Sequence, residues 1–165
     1  MLKNLIELTK VRIGFLVLTT TIIGFYLGAQ GKIDNMLLLF TVIGTLLSST
    51  GSSVMNNVIE SESDKLMDRT KNRVLPTKKI SLNFAKFLGI SFIIVGLLIL
   101  YFKVNFLTCM LSLLTIILYL FLYTPLKRKS WLNTSVGAIP GAIPPLGGWT
   151  AATNSLEWGG IAVFL

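Results

Sequence analysis

Three oxygen-bearing side chains recur at intervals of four residues in a short acidic stretch: Asn56, Glu60 and Asp64. On a helix, each step of four residues turns the chain by about 400°, so the three side chains would share one face. Glu62 falls outside this row and would point elsewhere. Two carboxylates beside an amide oxygen suit Mg²⁺, which binds a few carboxylates together with the phosphate oxygens of a substrate. Zinc is excluded because it favours histidine and cysteine ligands, and the sequence has no histidine and a single cysteine.

Basic side chains follow the acidic row at once. Arg69, Lys71 and Arg73 can bind phosphate oxygens directly, and arginine does so through two parallel hydrogen bonds. The carboxylates alone would repel a phosphate group, whereas a bound Mg²⁺ inverts the local field. Acids followed by bases beside apolar segments therefore predict a site for a lipid-like diphosphate, with its tail among helices and its head at the membrane rim. The alternative is a solvated loop of mixed charge in which the spacing is incidental.

A second basic group ends a later apolar segment. Tyr123 is followed by Lys127 and Arg128, which would add positive charge to the same headgroup. We therefore predict Asp64, Lys127 and Arg128 as candidate catalytic residues. The alternative is that Lys127, Arg128 and Lys129 only anchor the end of a membrane span, as basic residues commonly do.

The elements that must position these residues are apolar. Of the 165 residues, 53% are hydrophobic and 13% are charged, against roughly a quarter charged in ordinary soluble domains. Because a bilayer span needs about 20 mostly apolar residues, the sequence predicts an all-α, polytopic transmembrane helical bundle with about five spans and the start of a sixth. We interpret residues 1–165 as one domain, truncated inside its last apolar segment. The five segments are 13–29, 36–55, 87–102, 106–123 and 134–153, and the sixth opens at Trp158.

Basic residues are distributed unevenly around these segments. Of the 15 Lys and Arg residues, all except Lys32 and Lys103 lie in 1–12, 56–86 and 124–133. Cytoplasmic connections carry an excess of Lys and Arg, so the N-terminus and the 56–86 loop are predicted to be cytoplasmic. We expect a multi-pass protein of the cell inner membrane. This orientation explains the net charge of +8 without a nucleic-acid partner.

The fifth apolar segment is unusual because its sequence, GAIPGAIPPLGGW, is rich in glycine and proline. Pro140, Pro144 and Pro145 remove backbone donors, which is tolerated in a membrane only where neighbours or water satisfy the freed carbonyl groups. The segment predicts a broken or kinked helix that lines a cavity. Close packing through small residues is the alternative.

Several of these stretches together resemble one family. The row Asn-x-x-x-Glu-x-x-x-Asp and the continuation MDRTKNRVLP are similar to the first aspartate-rich motif of the UbiA superfamily of intramembrane prenyltransferases. LTKVRI, YTPLKR and GAIPPLGGW most resemble its protohaem IX farnesyltransferase branch, over about the N-terminal half of a member. Glu60 stands where the family has aspartate, and Val11 and Val74 stand where it has proline. The family's second aspartate-rich motif would follow beyond Leu165.

The resemblance implies a fold of nine helices around a central cavity. It also implies Mg²⁺-dependent transfer of a farnesyl group from farnesyl diphosphate to a vinyl group of haem b, giving haem O and diphosphate. Asn56, Glu60 and Asp64 would be the metal ligands. The diphosphate would be bound by Arg69, Lys71 and Arg73, and the family's basic pair would be Lys127 and Arg128.

Three other interpretations remain at this point. The chain could belong to a prenyltransferase for a quinone or another ring acceptor, to a transporter, or to an inactive fragment or non-catalytic membrane subunit. The acidic row lies at a rim rather than at mid-span, which disfavours a coupled ion transporter. Without a second acidic motif, the chain by itself is expected to be inactive. The implied partners are farnesyl diphosphate, haem b and the lipid bilayer, and no protein partner is implied.

Overall fold

The computed structural model of the chain describes residues 2–127 and 133–165, without the side chain of Leu2. Every regular element in these two ranges is helical, which confirms the predicted all-α class. The α-helices are α1 (Leu2–Thr9), α2 (Val11–Ala29), α3 (Asn35–Asp64), α4 (Leu82–Ile99), α5 (Phe106–Ile117), α6 (Thr124–Leu126), α7 (Asn133–Thr153) and α8 (Trp158–Phe164).

Helix starts follow the capping residues that the sequence supplies. The Asp34 side chain accepts hydrogen bonds from the backbone N–H groups of Met36 and Leu37 at the start of α3. Ser81 and Asn105 cap α4 and α5 in the same way. Such caps satisfy backbone donors that have no partner inside the helix.

Two spans end in π-helical turns. α4 continues as the π-helical segment Leu100–Val104, and α5 as Leu118–Tyr123, which runs into the short helix α6. Four helical stretches of the described chain are long and apolar enough to cross a bilayer: Val11–Ala29, Asn35–Asp64, Leu82–Val104 and Phe106–Leu126. Large apolar side chains on them face outward, with Phe15 and Phe87 70% exposed and Phe121 72% exposed. These features make the chain a multi-pass membrane protein.

The proline-rich segment forms one continuous helix, α7, although it contains Pro140, Pro144 and Pro145. A break in the helix, one of the two predicted forms, is therefore wrong, and the other form, a kinked helix, stays a prediction. Its glycines let α7 lie directly against α2. A Cβ atom added at Gly148 would stand 1.9 Å from the backbone oxygen of Thr21, and one added at Gly24 would stand 1.9 Å from that of Pro145. Whether α7 spans the bilayer as a fifth span stays a prediction.

The acidic row lies in a helix and not in a loop. α3 runs to Asp64, so the irregular part of the 56–86 segment is residues 65–81, and α4 begins at Leu82. This connection folds back onto the end of α3. Val74 and Leu75 join a buried cluster with Leu8 of α1 and with Val54 and Val58 of α3. Burial of these side chains holds α1 and the connection against the part of α3 that carries the acidic row.

Candidate active site

The predicted acidic row forms a single buried face at the end of α3. Asn56, Glu60 and Asp64 are 2%, 3% and 4% exposed. Glu62, two residues from Glu60 and so about 200° around the helix, is 80% exposed at its side chain and pairs with Lys65 in solvent. The shared helical face predicted from the spacing is therefore confirmed, because the three side chains that recur every four residues point inward together and Glu62 does not.

Each member of the row meets a cation from another part of the chain. Lys10 Nζ donates to Asn56 Oδ1 at 2.6 Å. Lys127 Nζ lies 3.2 Å from Glu60 Oε1. Arg73 Nη1 lies 2.7 Å from Asp64 Oδ2 and 3.9 Å from Glu60 Oε2. The two buried carboxylates are thus paired with Arg73 and Lys127, and Lys10, on the Asn56 amide, leaves the cluster with one positive charge in excess.

A cavity of about 990 Å³ opens beside this cluster. Its charged end is lined by Asn56, Asp64, Lys10, Arg73 and Lys127, together with Arg69. Glu60 does not line the cavity itself but is bonded to Lys127, which does. A concave space with a few convergent charged groups is the usual form of a ligand site.

The rest of the cavity runs between the helices. Along α3 its lining extends from Asn56 back to Thr45, about 16 Å of helix at 1.5 Å per residue. Apolar side chains of the lining include Leu100 and Ile143. Pro140, Gly141, Pro144 and Gly147 of α7 also line it, so the expectation that this segment borders a cavity is confirmed.

Lys10 is a site residue that the sequence pattern does not predict, since the pattern marks it only as one of the basic residues that orient the chain in the membrane. It sits between α1 and α2 with φ 49° and ψ 50°, a left-handed conformation uncommon for a residue with a side chain. Burial lowers the pKa of Lys10 to about 8, and the nearby Glu60 carboxylate partly opposes this effect. Its place in the LTKVRI motif was the only local signal, because Lys10 and Asn56 are distant in sequence.

The basic residues predicted to bind phosphate separate into two groups. Arg69 and Arg73 line the cavity, but Lys71 does not. Lys71 Nζ pairs instead with Asp68 Oδ1 at 2.7 Å, and the two side chains are 53% and 97% exposed. The structure therefore does not bring Lys71 to the acidic row. The predicted role of Arg128 concerns a residue outside the described ranges.

The donor set of the cluster fits a hard divalent cation. Among the described residues, no three His, Cys, Asp or Glu side chains gather to hold a metal ion by themselves. The oxygens available are therefore two carboxylates and the Asn56 amide. Within the described part of the chain, Glu60 Oε2 is buried without a hydrogen-bond partner. This carboxylate oxygen, 3.9 Å from Arg73 Nη1, is of the kind that Mg²⁺ prefers as a ligand.

Comparison with known proteins gives relatives over nearly the whole chain. A protein named protoheme IX farnesyltransferase from Solibacter usitatus is 40% identical over 164 residues, covering 94% of this chain and 56% of that protein. The mitochondrial protein of that name from Homo sapiens is 45% identical over 155 residues, covering 94% of this chain and 35% of its own length. The chain spans about half, or less, of the curated relatives it matches.

Solved structures share the fold. A structure reported for digeranylgeranylglyceryl phosphate synthase superposes with a TM-score of 0.84 at 22% identity, covering 99% of this chain and 57% of that one. A UbiA homologue from Archaeoglobus fulgidus, solved with DMAPP and Mg²⁺, gives a TM-score of 0.77 at 17% identity, covering 98% and 59%. The sequence model of the UbiA prenyltransferase family matches residues 17–165. The chain therefore belongs to the UbiA prenyltransferase family.

Proposed function

We propose that the protein containing this chain transfers a farnesyl group from farnesyl diphosphate to a vinyl group of haem b, with Mg²⁺ as cofactor. The observation that carries this proposal is the buried row Asn56, Glu60 and Asp64, ringed by cations at one end of a cavity among membrane helices. The names of the relatives support the choice of donor and acceptor.

The headgroup end would bind the diphosphate. Asn56, Glu60 and Asp64 would hold Mg²⁺, which neutralises charge on the diphosphate when bound. Arg69 and Arg73 would bind phosphate oxygens through paired hydrogen bonds, and Lys10 and Lys127 would contribute as single charges. Such donors stabilise charge most strongly where water is excluded.

The long part of the cavity would hold the prenyl tail. In the reaction, the bond between the first farnesyl carbon and the diphosphate oxygen breaks, and its electron pair leaves with diphosphate. The vinyl group of the acceptor supplies the electron pair of the new carbon–carbon bond. The cation left on the acceptor is then quenched by water, which loses a proton. The chain's own contribution is to align the tail and to shield the cationic carbon from early attack by water.

The proposed site lies at the cytoplasmic rim of the cell inner membrane. Lys10, Arg73 and Lys127 all belong to segments rich in basic residues, and such segments favour the cytoplasmic side. This arrangement would admit a water-soluble diphosphate head from the cytoplasm while the farnesyl chain stays among apolar helices.

The test uses the protein at the length at which its gene encodes it, purified in detergent with Mg²⁺, farnesyl diphosphate and haem b. We expect Asp64→Asn and Glu60→Gln to lower formation of haem O by at least about 100-fold, since they remove metal-ligand charge. Glu62→Gln is the matched control, because Glu62 is on the same helix but exposed. Unchanged turnover in both site variants would refute the metal assignment. Farnesylation of a quinone precursor in place of haem b would refute the proposed acceptor.

A further inference from the structure

The hydroxyl group of Thr124 links the acidic row to the end of the fourth candidate span. Thr124 is 1% exposed. Its Oγ1 accepts a hydrogen bond from Asn56 Nδ2 at 2.9 Å and donates one to the backbone oxygen of Tyr119 at 2.7 Å. Neither bond is required for the proposed chemistry described above, so the pair needs its own explanation.

The π-helical segment Leu118–Tyr123 makes this arrangement possible. At its end, the backbone N–H of Thr124 also bonds to the oxygen of Tyr119, five residues earlier. The hydroxyl therefore points back along its own helix towards the same acceptor. Single-turn π-helical insertions frequently occur at functional sites.

These bonds fix the orientation of the Asn56 amide. A threonine hydroxyl has one hydrogen, and here it is used on the Tyr119 oxygen, so the group facing it must be a donor. The Asn56 NH₂ group therefore faces Thr124, and Oδ1 faces the opposite way. On that side Lys10, which can only donate, contacts Oδ1 at 2.6 Å. A flipped amide would set donor against donor at Lys10.

We propose that Thr124 is a positioning residue that keeps Asn56 Oδ1 turned towards the cations and available as a metal ligand. The inference rests on the proposed function, because it assigns Asn56 to the Mg²⁺ site. Partners that orient a ligand in this way typically change metal affinity by about 10- to 100-fold when they are removed.

The test measures metal binding and not turnover. The protein at its full encoded length is titrated with Mn²⁺ in the presence of inorganic diphosphate, and bound Mn²⁺ is followed by electron paramagnetic resonance. We expect Thr124→Val to weaken Mn²⁺ binding by about tenfold or more, whereas Thr124→Ser, which keeps the hydroxyl, binds like the unmodified protein. Thr41→Val is the matched control, because Thr41 is also fully buried but bonds within its own helix.

A second background separates orientation from packing. Both oxygens of a carboxylate are acceptors, so a carboxylate at position 56 presents an oxygen to the metal in either orientation and needs no partner to orient it. In the Asn56→Asp background, Thr124→Val is therefore expected not to weaken Mn²⁺ binding. An equal loss in both backgrounds would overturn the positioning role.

The remaining outcomes are also decisive. Equal Mn²⁺ affinity in Thr124→Val and in the unmodified protein would refute the inference while leaving the proposed function intact. Failure of the unmodified protein to bind Mn²⁺ with diphosphate would refute the metal site itself. If Thr124→Val does not fold, Thr124→Ala in both backgrounds carries the same expectation with a smaller side chain.

Discussion

Lys10, Arg73 and Lys127 each occupy an oxygen of the acidic row, and each comes from a different part of the chain. Asn56, Glu60 and Asp64 could be grouped from sequence because helical spacing is a local property. The three cations could not be assigned this way, since their approach depends on how α1, the 65–81 connection and α6 pack. Only its position between Arg69 and Arg73 in the sequence predicts that Lys71 binds diphosphate, and its side chain is exposed to solvent.

Arg73 pairs with a buried carboxylate and Lys71 with an exposed one, so removing the two cations is expected to have different effects. Arg73→Met leaves the buried Asp64 carboxylate without its partner, and this is expected to lower the free energy of unfolding by about 2–3 kcal/mol. The loss is smaller than is usual for breaking a fully buried ion pair because Arg73 is partly exposed. Arg73→Met is also expected to weaken diphosphate binding. Thermal unfolding and calorimetric titration with inorganic diphosphate measure the two effects.

Lys71→Met is the matched control for that experiment. Its ion pair with Asp68 is exposed, and exposed pairs contribute little, so stability is expected to change by less than about 0.5 kcal/mol. Diphosphate affinity is expected to stay the same. Equal losses in the two variants would mean that Lys71 belongs to the binding site after all.

Among the helices, the contact between α2 and α7 depends on glycine. Small residues let membrane helices approach closely, and apolar segments with this composition could be recognised from sequence. The sequence could not show whether three prolines break α7, because the answer depends on what satisfies the freed carbonyl groups. The sequence also could not predict which glycine contacts which helix.

Gly148→Ala tests this contact. The added methyl group would collide with the backbone of α2 near Thr21, so the variant is expected to lower the melting temperature in detergent by several degrees. Gly147→Ala is the matched control, because a Cβ atom there meets nothing within 4 Å. Alanine stabilises a helix by about 1 kcal/mol relative to glycine, so Gly147→Ala is expected to be at least as stable as the unmodified protein. A similar fall in both variants would contradict close packing at Gly148.

For the molecule as a whole, the distribution of charge predicts the orientation in the membrane. Lys32 follows α2 and Lys79 lies in the 65–81 connection, so the two are expected on opposite sides. In intact cells, a membrane-impermeant thiol reagent is expected to label Lys32→Cys, and Lys79→Cys only after the membrane is permeabilised. The buried Cys109 gives little background. Labelling in the reverse order would place the acidic row outside the cytoplasm.

The gathering of two carboxylates and three cations bears on the form in which the proposed ligands would bind. With a surplus of positive charge, a bare divalent ion would be repelled, and it would also have to displace a tethered ammonium or guanidinium group. A magnesium ion already chelated by a prenyl diphosphate carries the opposite sign and offers each displaced side chain a new counter-ion. The proposed Mg²⁺ and prenyl diphosphate are therefore expected to bind as one unit, and Lys10, Lys127 and Arg73 are expected to move from protein oxygens to phosphate oxygens as this complex binds.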